Sequence, residues 1–548
     1  MARFVSPFAQ WILSRNSNVT HRFRREFGGS YVLLAENCEK IGELSPFVSV
    51  AVRDLELLPK TDDKLYDLQW NINNSGQDFS NLDSVGPGIH GIDFNIEEAW
   101  AIHENREEVV IAMFEYGIDT NHPDLNSNFF QNIAELNGTA GVDDDGNGYI
   151  DDIHGANMSL NNGDIDMHRS KSIDPHGTGV GGVAIATTNN GFGAAGVFDG
   201  ARLLTITGDD PNQTLLSFIS DLTKGIGYLI DMKTRYDNND GGANVRVLNI
   251  SLGNFFSCER GIHPSIDAFL DASDAANKAG ILIVGATSNL SINHDGKVKE
   301  WPTNCEGPNQ ITVGSINRAG KLASSGYGIH SVELAAPGHQ VLVPWYFDDL
   351  GSAFAFVSGT SFAAPGVAAI SAMISSMYPT LAPAEISQIL IDSSDELPDL
   401  KGKITSGGKI NAYSALLLAG ERAVSQNPLG DFDGDGNLDS SDIDLLSTAV
   451  REQSLDLTYD VNSDGSIDQL DRNYWITELK KTWLGDSNLD GVFDSSDFTF
   501  AFTAGEYEDE TLGNSGWSEG DWNGDGDFDS SDLVVAFAAG GYNSGPLP

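Results

Sequence analysis

The segment Val357–Ala369, which reads Val-Ser-Gly-Thr-Ser-Phe-Ala-Ala-Pro-Gly-Val-Ala-Ala, constrains the fold more than any other part of the chain. The small residues before Ser361 predict a tight turn, and the alanine-rich run after it predicts a buried helix. Pro365 would lie in the first turn of that helix, where its missing N–H costs least. The turn would present the Ser361 hydroxyl at a helix N-terminus, where unpaired backbone N–H groups suit a developing negative charge. By itself this pattern also fits a turn without chemistry.

Two upstream segments supply groups that would complete a nucleophilic site. His176 opens a run of small apolar residues, Gly177–Ala184, as expected for a histidine at the start of a buried helix. Val109–Phe114 is a continuous apolar run of strand length, which is typical of a strand buried in a parallel sheet. Glu115 follows that strand directly, at the carboxyl end where open α/β sheets place their functional groups. These segments predict an α/β fold with a mostly parallel sheet.

The order of these motifs resembles that of the subtilisin-like serine proteases, in which acid, histidine and serine follow one another along the chain. Ser361 lies in a Gly-Thr-Ser-x-Ala-x-Pro motif and His176 in a His-Gly-Thr motif, and the resemblance covers roughly residues 65–420. It implies a three-layer α/β domain with serine endopeptidase activity on proteins or peptides. The residues in matching positions are the catalytic Glu115, His176, Ser361 and Asn289 and the substrate-binding Ser251, Leu252 and Gly253.

Glu115 departs from the family, which has an aspartate in this position. Glutamate keeps the negative charge that supports an imidazolium but adds one methylene, and a misplacement of about 1 Å can cost on the order of 10² in rate. Asp119 matches a second aspartate of the family and is not a displaced acid. Further departures are Gly179, where many members have histidine, and Ser288, where many have glycine. The alternative function is therefore a catalytically impaired surface binding protein with the same fold.

The net charge of −48 argues against nucleic acid and anionic membrane partners. No apolar run of bilayer length is apparent, so a membrane span is not expected. Much of the negative charge lies after Gly430, in a segment that contains 27 acidic and four basic residues. Regular spacing within this segment argues against a disordered acidic tail.

Four copies of one loop account for that spacing. Each reads Asp-x-[Asp/Asn]-x-Asp-Gly-x-x-Asp-x-x-Asp, so oxygen donors fall at positions 1, 3, 5, 9 and 12. This is the calcium-loop pattern of an EF-hand with aspartate in the last place. The predicted Ca²⁺ ligands are Asp431, Asp433, Asp435, Asp439 and Asp442; Asp460, Asn462, Asp464, Asp468 and Asp471; Asp486, Asn488, Asp490, Asp494 and Asp497; and Asp521, Asn523, Asp525, Asp529 and Asp532.

These repeats resemble dockerin repeats in two tandem pairs, a small α-helical EF-hand-like module. The resemblance implies a cohesin-like protein partner or a cell-surface anchor. A calcium-stapled stability module without a partner is the alternative.

A fifth acidic loop lies inside the protease-like region, at residues 143–152. It begins like the repeats, but His154 stands where the final carboxylate would be. Because its clustered carboxylates would otherwise repel one another, we predict a calcium site of different geometry. Calcium bound to the native state alone would stabilise the fold by mass action. The predicted ligands are Asp143, Asp145, Asn147 and Asp151.

Three cysteines are present. Cys258 and Cys305 fall in loops near the predicted substrate cleft and would form one disulfide, with free thiols as the alternative. Cys38 lies in a segment that we expect to be removed.

The sequence predicts three parts: a partial propeptide-like segment at residues 1–62, a subtilisin-like peptidase domain at 63–422 and dockerin-like repeats at 430–545. No convincing signal peptide is evident in the first residues. We nevertheless expect an extracellular or cell-surface location, because weak calcium loops fill at the millimolar Ca²⁺ found outside cells.

Overall fold

The computed structural model describes strands β1 (Arg22–Arg25) and β2 (Tyr31–Leu34), which pair antiparallel, and residues 61–547 except those given below. The exceptions are 80–82, 105, 170–173, 209–213, 254, 256, 297, 302–304, 306–309, 348, 427, 455 and 510. The chain divides into two compact units, Leu58–Gly420 and a second that comprises Met1–Leu57 and Glu421–Pro548. Cys38 and most of the predicted propeptide-like segment lie outside the described residues.

A nine-stranded sheet forms the centre of the Leu58–Gly420 unit, with strand order β12-β13-β9-β8-β7-β6-β3-β5-β4. All neighbouring strands are parallel except β12 and β13. Strands β10 and β11 form a separate antiparallel hairpin. The strands are β3 Val110–Glu115, β4 Gly155–Asn157, β5 Arg202–Thr207, β6 Val245–Ile250, β7 Leu282–Ala286, β8 Gln310–Ile316, β9 Leu334–Pro337, β10 His339–Phe347, β11 Gly351–Ser358, β12 Asp395–Glu396 and β13 Gly408–Lys409.

Helices pack on both faces of this sheet. The described helices of this part of the chain are α1 Ile96–Trp100, α2 Ile133–Leu136, α3 His176–Ile185, α4 Leu215–Asp237, α5 Pro264–Lys278, α6 Ala364–Met377, α7 Pro383–Asp392 and α8 Ala412–Gln426, of which α3 to α7 contact strands of the sheet.

Alternation along β3 shows how the layers form. Ala112 and Phe114 share a buried cluster with the inner face of α4, which includes Leu222. Met113 points to the opposite face. There Gly181 of α3 approaches it so closely that a Cβ would lie 3.8 Å from the Met113 sulfur. The sheet is therefore covered on both sides, and the predicted three-layer α/β fold with a mostly parallel sheet is confirmed.

Helix α6 is strongly apolar and lies in the core. Within the described part of the chain, Thr360–Met377 is long and apolar enough to cross a bilayer, but all of it is buried in the protein. It contacts α3 and strands β6 and β7. The segment that holds Ser361 therefore leads into the centre of the fold.

The four loops of the Glu421–Pro548 unit are each followed by a helix. The helices are α9 Ser440–Arg451, α10 Gln469–Tyr474 (continued by a π-helix, Trp475–Leu479), α11 Ser495–Ala504 and α12 Ser530–Ala538. One apolar cluster joins Leu446 of the first repeat, Trp475 of the second, Phe493 of the third and Trp522 of the fourth. The repeats thus share one core, and the predicted small α-helical module is confirmed.

Two arginines link the first two repeats to the fourth loop. Arg472 is fully buried and donates to the backbone carbonyls of Trp522 and Asn523. Arg451 donates to the carbonyl of Gly524 at 3.1 Å. The fourth loop is therefore held by side chains that follow the first and second loops in sequence.

Candidate active site

Three of the predicted catalytic residues lie where parallel strands end or α3 begins. Glu115 is the last residue of β3, Asn289 follows β7, and His176 is the first residue of α3. Ser361 lies in a single 3₁₀ turn, Thr360–Phe362, immediately before α6. Because β3, β6 and β7 are neighbours, their carboxyl ends bring these groups to one edge of the sheet.

Glu115 and His176 form the best-defined contact of the site. The Glu115 Oε2 atom lies 2.9 Å from His176 Nδ1, and the Glu115 side chain is buried. Burial disfavours the charged imidazolium, but the charge and hydrogen bond of Glu115 outweigh it and raise the pKa of His176 above its usual 6.5. The glutamate therefore orients the ring and stabilises its protonated form.

The second Glu115 oxygen is in a different environment. Oε1 is buried without a hydrogen-bond partner among the described residues. Gly177 packs directly against this side chain, and a Cβ there would lie 3.2 Å from the Glu115 Cβ and 2.2 Å from the Gly117 carbonyl oxygen. A larger residue at position 177 would therefore displace the acid, its strand or α3.

Ser361 is held by the residue that follows β6. Its Oγ donates to the Ser251 carbonyl at 3.1 Å, and the Ser251 hydroxyl donates in return to the Ser361 carbonyl at 2.9 Å. The His176 ring lies against Phe362, the next residue along, with 5.4 Å between ring centroids. Within the described residues, the Ser361 hydroxyl makes no hydrogen bond to His176. Such bonds commonly tighten only when substrate binds.

The Asn289 side chain is fixed by the turn that carries Ser361. Its Oδ1 accepts hydrogen bonds from the Thr360 N–H at 2.9 Å and from the Thr360 hydroxyl at 3.1 Å. This orientation leaves the Nδ2 donors of Asn289 directed away from those groups. The Ser361 N–H has no hydrogen-bond acceptor among the described residues. Two donors are therefore available beside the serine.

The residues that follow Ser251 retain unused backbone groups. Leu252 is half-buried and Gly253 exposed, and the backbone of neither makes a hydrogen bond to a described residue. A strand end with free N–H and C=O groups can accept an extended peptide. We call Ser251–Gly253 the substrate edge.

The two other departures from the family, Gly179 and Ser288, each make a specific contact in the structure. A Cβ on Gly179 would lie 2.9 Å from the ring of Trp345 in β10 and 3.0 Å from Phe362, so Trp345 occupies the space of a larger side chain. The Ser288 hydroxyl is hydrogen-bonded to His294 Nε2 at 2.9 Å. Neither change removes a group from the site.

The four C-terminal loops share one pattern of hydrogen bonds. The aspartates at position 9 cap the following helices, and those at position 12 are buried and accept the position 9 N–H. Asp431, Asp433 and Asp435 have carboxylate oxygens within 4.8 Å of one another. Burial raises the pKa of Asp521 and Asp532 to about 6. An oxygen-rich loop with partly buried carboxylates fits Ca²⁺.

The acidic loop of the first unit contributes to a cluster of carboxylates. Oxygens of Glu135, Asp145 and Asp152 lie within 4.8 Å of one another. Burial raises the pKa of Asp152 to about 7. Asp143 accepts backbone N–H groups of residues 147 and 148, as Asp460 accepts those of residues 464 and 465, and Asp151 accepts that of residue 141.

Of the four ligands predicted in this loop, only Asp145 belongs to that cluster. Asn147 donates from its side chain to both Asp145 and Asp152. Sequence spacing did not group Glu135 with Asp145 because Glu135 belongs to α2, outside the loop. It did not select Asp152 because position 10 of the repeat pattern carries no oxygen donor.

Comparison with known proteins gives matches for both units. A family model described as the subtilase family matches residues 106–414, and one described as the dockerin type I domain matches residues 429–480. Subtilisin-like protease 1 of Plasmodium vivax is 31% identical over 368 residues, 66% of this chain and 52% of that protein. A thermophilic serine proteinase of Bacillus sp. strain AK1 is 28% identical over 319 residues, 58% of this chain and 64% of that protein.

A solved structure of a protease from Pseudoalteromonas arctica is 25% identical and covers 66% of this chain and 100% of that one, with a TM-score of 0.46. The chain spans about half the length of the Plasmodium relatives that it matches.

Proposed function

Because the chain belongs to the subtilase family, we propose that it is a serine endopeptidase with Ser361 as nucleophile, His176 as general base and Glu115 as the supporting acid. The observation that carries the proposal is the buried contact of 2.9 Å between Glu115 Oε2 and His176 Nδ1. It fixes which ring nitrogen carries the proton, and so leaves Nε2 to accept the proton of the serine.

The reaction begins when substrate draws the Ser361 hydroxyl from the Ser251 carbonyl towards His176. His176 takes the proton as Ser361 attacks the peptide carbonyl, and the charge of Glu115 stabilises the imidazolium. The Asn289 amide and the Ser361 N–H donate to the oxyanion that forms. His176 then gives its proton to the leaving amine, and water repeats the sequence on the acyl-enzyme.

The substrate edge would hold the peptide on the acyl side of the cleaved bond. Backbone hydrogen bonds to Leu252 and Gly253 supply affinity without regard to sequence, because every residue has the same main-chain groups. Side chains of the substrate then determine preference.

We further propose that Ca²⁺ stabilises both units. In the Glu421–Pro548 unit the aspartates and asparagines at positions 1, 3 and 5 of each loop would hold the ion, with the position 12 aspartate closing the loop. In the first unit Glu135, Asp145 and Asp152 would do so. The ion supplies charge compensation and native-state stability by mass action.

A location outside the cell or on its surface follows from this dependence on Ca²⁺. Relatives include an extracellular basic protease of Dichelobacter nodosus. The dockerin match supports the proposal of a cohesin-like or surface partner for the C-terminal unit.

A surface binding protein that has lost catalysis is the second candidate. The observation in its favour is that the Ser361 hydroxyl donates to Ser251 and not to His176. Fluorophosphonate labelling and casein hydrolysis in millimolar Ca²⁺ distinguish the two, with Ser361→Ala as the matched control. Labelling and turnover that Ser361→Ala abolishes support the protease. Folded, calcium-loaded protein that neither labels nor cleaves supports the binding protein.

A further inference from the structure

A buried carboxylate lies directly behind the substrate edge. Glu300 is 7% exposed, yet it adjoins Gly253, which is exposed. A Cβ on Gly253 would lie 3.3 Å from Glu300 Oε1 and 3.1 Å from the Trp301 carbonyl oxygen. Gly253 therefore separates the carboxylate from the cleft by backbone alone.

A disulfide holds this carboxylate beside the edge. Cys258, in the loop that follows the substrate edge, is bonded to Cys305, in the loop that follows Glu300, with 5.1 Å between their Cα atoms. The predicted pairing of these cysteines is thus present. Cys305 and Trp301 are buried in the same apolar cluster. The spacing between Gly253 and Glu300 is consequently set by a covalent link and by packing.

The adjacent histidine adds no positive charge, and the ammonium of Lys299 donates to the backbone carbonyl of that histidine at 3.1 Å. His294 Nε2 lies 3.8 Å from Glu300 Oε2, and the ring is fully buried. Burial lowers the pKa of His294, so the ring is neutral at physiological pH. The negative charge of Glu300 is therefore not balanced by this histidine.

The position of the carboxylate matches the reach of a long basic side chain. Ser251 touches Ser361, and Gly253 lies two residues on, about 7 Å along an extended chain. A lysine extends a four-carbon stem about 6 Å beyond its Cα. Resting on the proposed function, we propose that Glu300 is a specificity-determining residue that favours Lys or Arg as the residue whose carbonyl Ser361 attacks.

Lysine and norleucine form the decisive pair of substrates, because they share a similar stem and differ in the charged amine. In fluorogenic peptides that are otherwise identical, we expect kcat/KM for lysine to exceed that for norleucine at least about tenfold. Glu300→Gln should bring the ratio close to one by lowering only the lysine value. Glu300→Asp should retain part of the preference for lysine over norleucine. The matched control is Glu333→Gln, which alters another buried carboxylate, one that accepts the Thr312 N–H.

A binding arm keeps this test independent of turnover. Peptides ending in lysine or norleucine are titrated against Ser361→Ala with and without Glu300→Gln, and fluorescence anisotropy gives the Kd values. Equal treatment of lysine and norleucine by the parent protein, or a preference that survives Glu300→Gln, overturns the proposal. Turnover without preference refutes only the role of Glu300. Glu300-dependent lysine binding without Ser361-dependent turnover refutes the protease and retains the pocket.

Discussion

Replacing Glu115 by aspartate would give the chain the acid that its family has, and we expect this change to slow the enzyme. The Glu115 carboxylate reaches His176 at 2.9 Å from the end of its longer side chain. Loss of one methylene shortens that reach by about 1.5 Å. With the backbone unmoved, the separation becomes roughly 4 Å, beyond hydrogen-bonding distance.

The expected magnitude follows from the lost bond. A charge-assisted hydrogen bond contributes about 1.5–3 kcal/mol, which corresponds to roughly a 10- to 100-fold lower kcat. The vacated methylene would also cost about 1 kcal/mol of stability. Because Glu115 does not touch the substrate edge, KM should change little.

Peptide hydrolysis at saturating substrate measures the loss of kcat, and NMR of the His176 ring nitrogens measures the accompanying fall in its pKa. Glu115→Gln is the control that keeps the length and removes the charge. If Glu115→Asp matches or exceeds the parent enzyme while remaining folded, the argument from reach is refuted.

Four other results are expected. The general base must be neutral, and the pKa of His176 is raised, so activity should fall as pH decreases through a midpoint above 6.5; Glu115→Gln should move that midpoint down, and an unmoved midpoint would contradict the assignment. Asn289→Ala should lower kcat by about 10²–10³, the loss known for the equivalent donor of subtilisin, and unchanged kcat would exclude an oxyanion role. Gly179→His should cost about 1–3 kcal/mol of unfolding free energy by overpacking, partly recovered with Trp345→Ala in chemical denaturation. Chelation with EGTA should lower the thermal midpoint; for a site filled at 100 times its Kd the loss is about 2.7 kcal/mol, and an unchanged midpoint would exclude structural calcium.

Local sequence patterns predicted the parts of the site that local structure determines. Ser361 and His176 sit at helix starts that small-residue runs specify, and Glu115 ends an apolar strand. Contacts between distant segments could not be predicted in this way. Trp345 lies in a hairpin far along the chain and fills the space beside Gly179, and no local sequence pattern predicts that contact.

The predicted calcium-binding loops show the same difference between features set by local sequence and features set by distant contacts. Position-by-position spacing identified the C-terminal loops, because all the predicted ligands of each loop lie within one stretch of twelve residues. In the first unit, α2 contributes Glu135 to the acidic cluster, so spacing within the loop could not group this residue with Asp145. Likewise, the amphipathic helices could be predicted from the repeats, whereas the common core around Trp475 and Trp522 depends on how the repeats pack.

The arginine contacts of the C-terminal unit affect how readily the chain would be cleaved by proteolysis. The basic residues after Gly430 are Arg451, Arg472, Lys480 and Lys481. Both arginines are engaged with the fourth loop, and Lys480 donates to the Leu438 carbonyl. For an endopeptidase that prefers basic residues, three of these four side chains would be held within the folded tail, whereas Lys481 is exposed. Loss of calcium would free the three held side chains as further cleavage sites, and a shortage of the ion would then lead to irreversible loss of the tail.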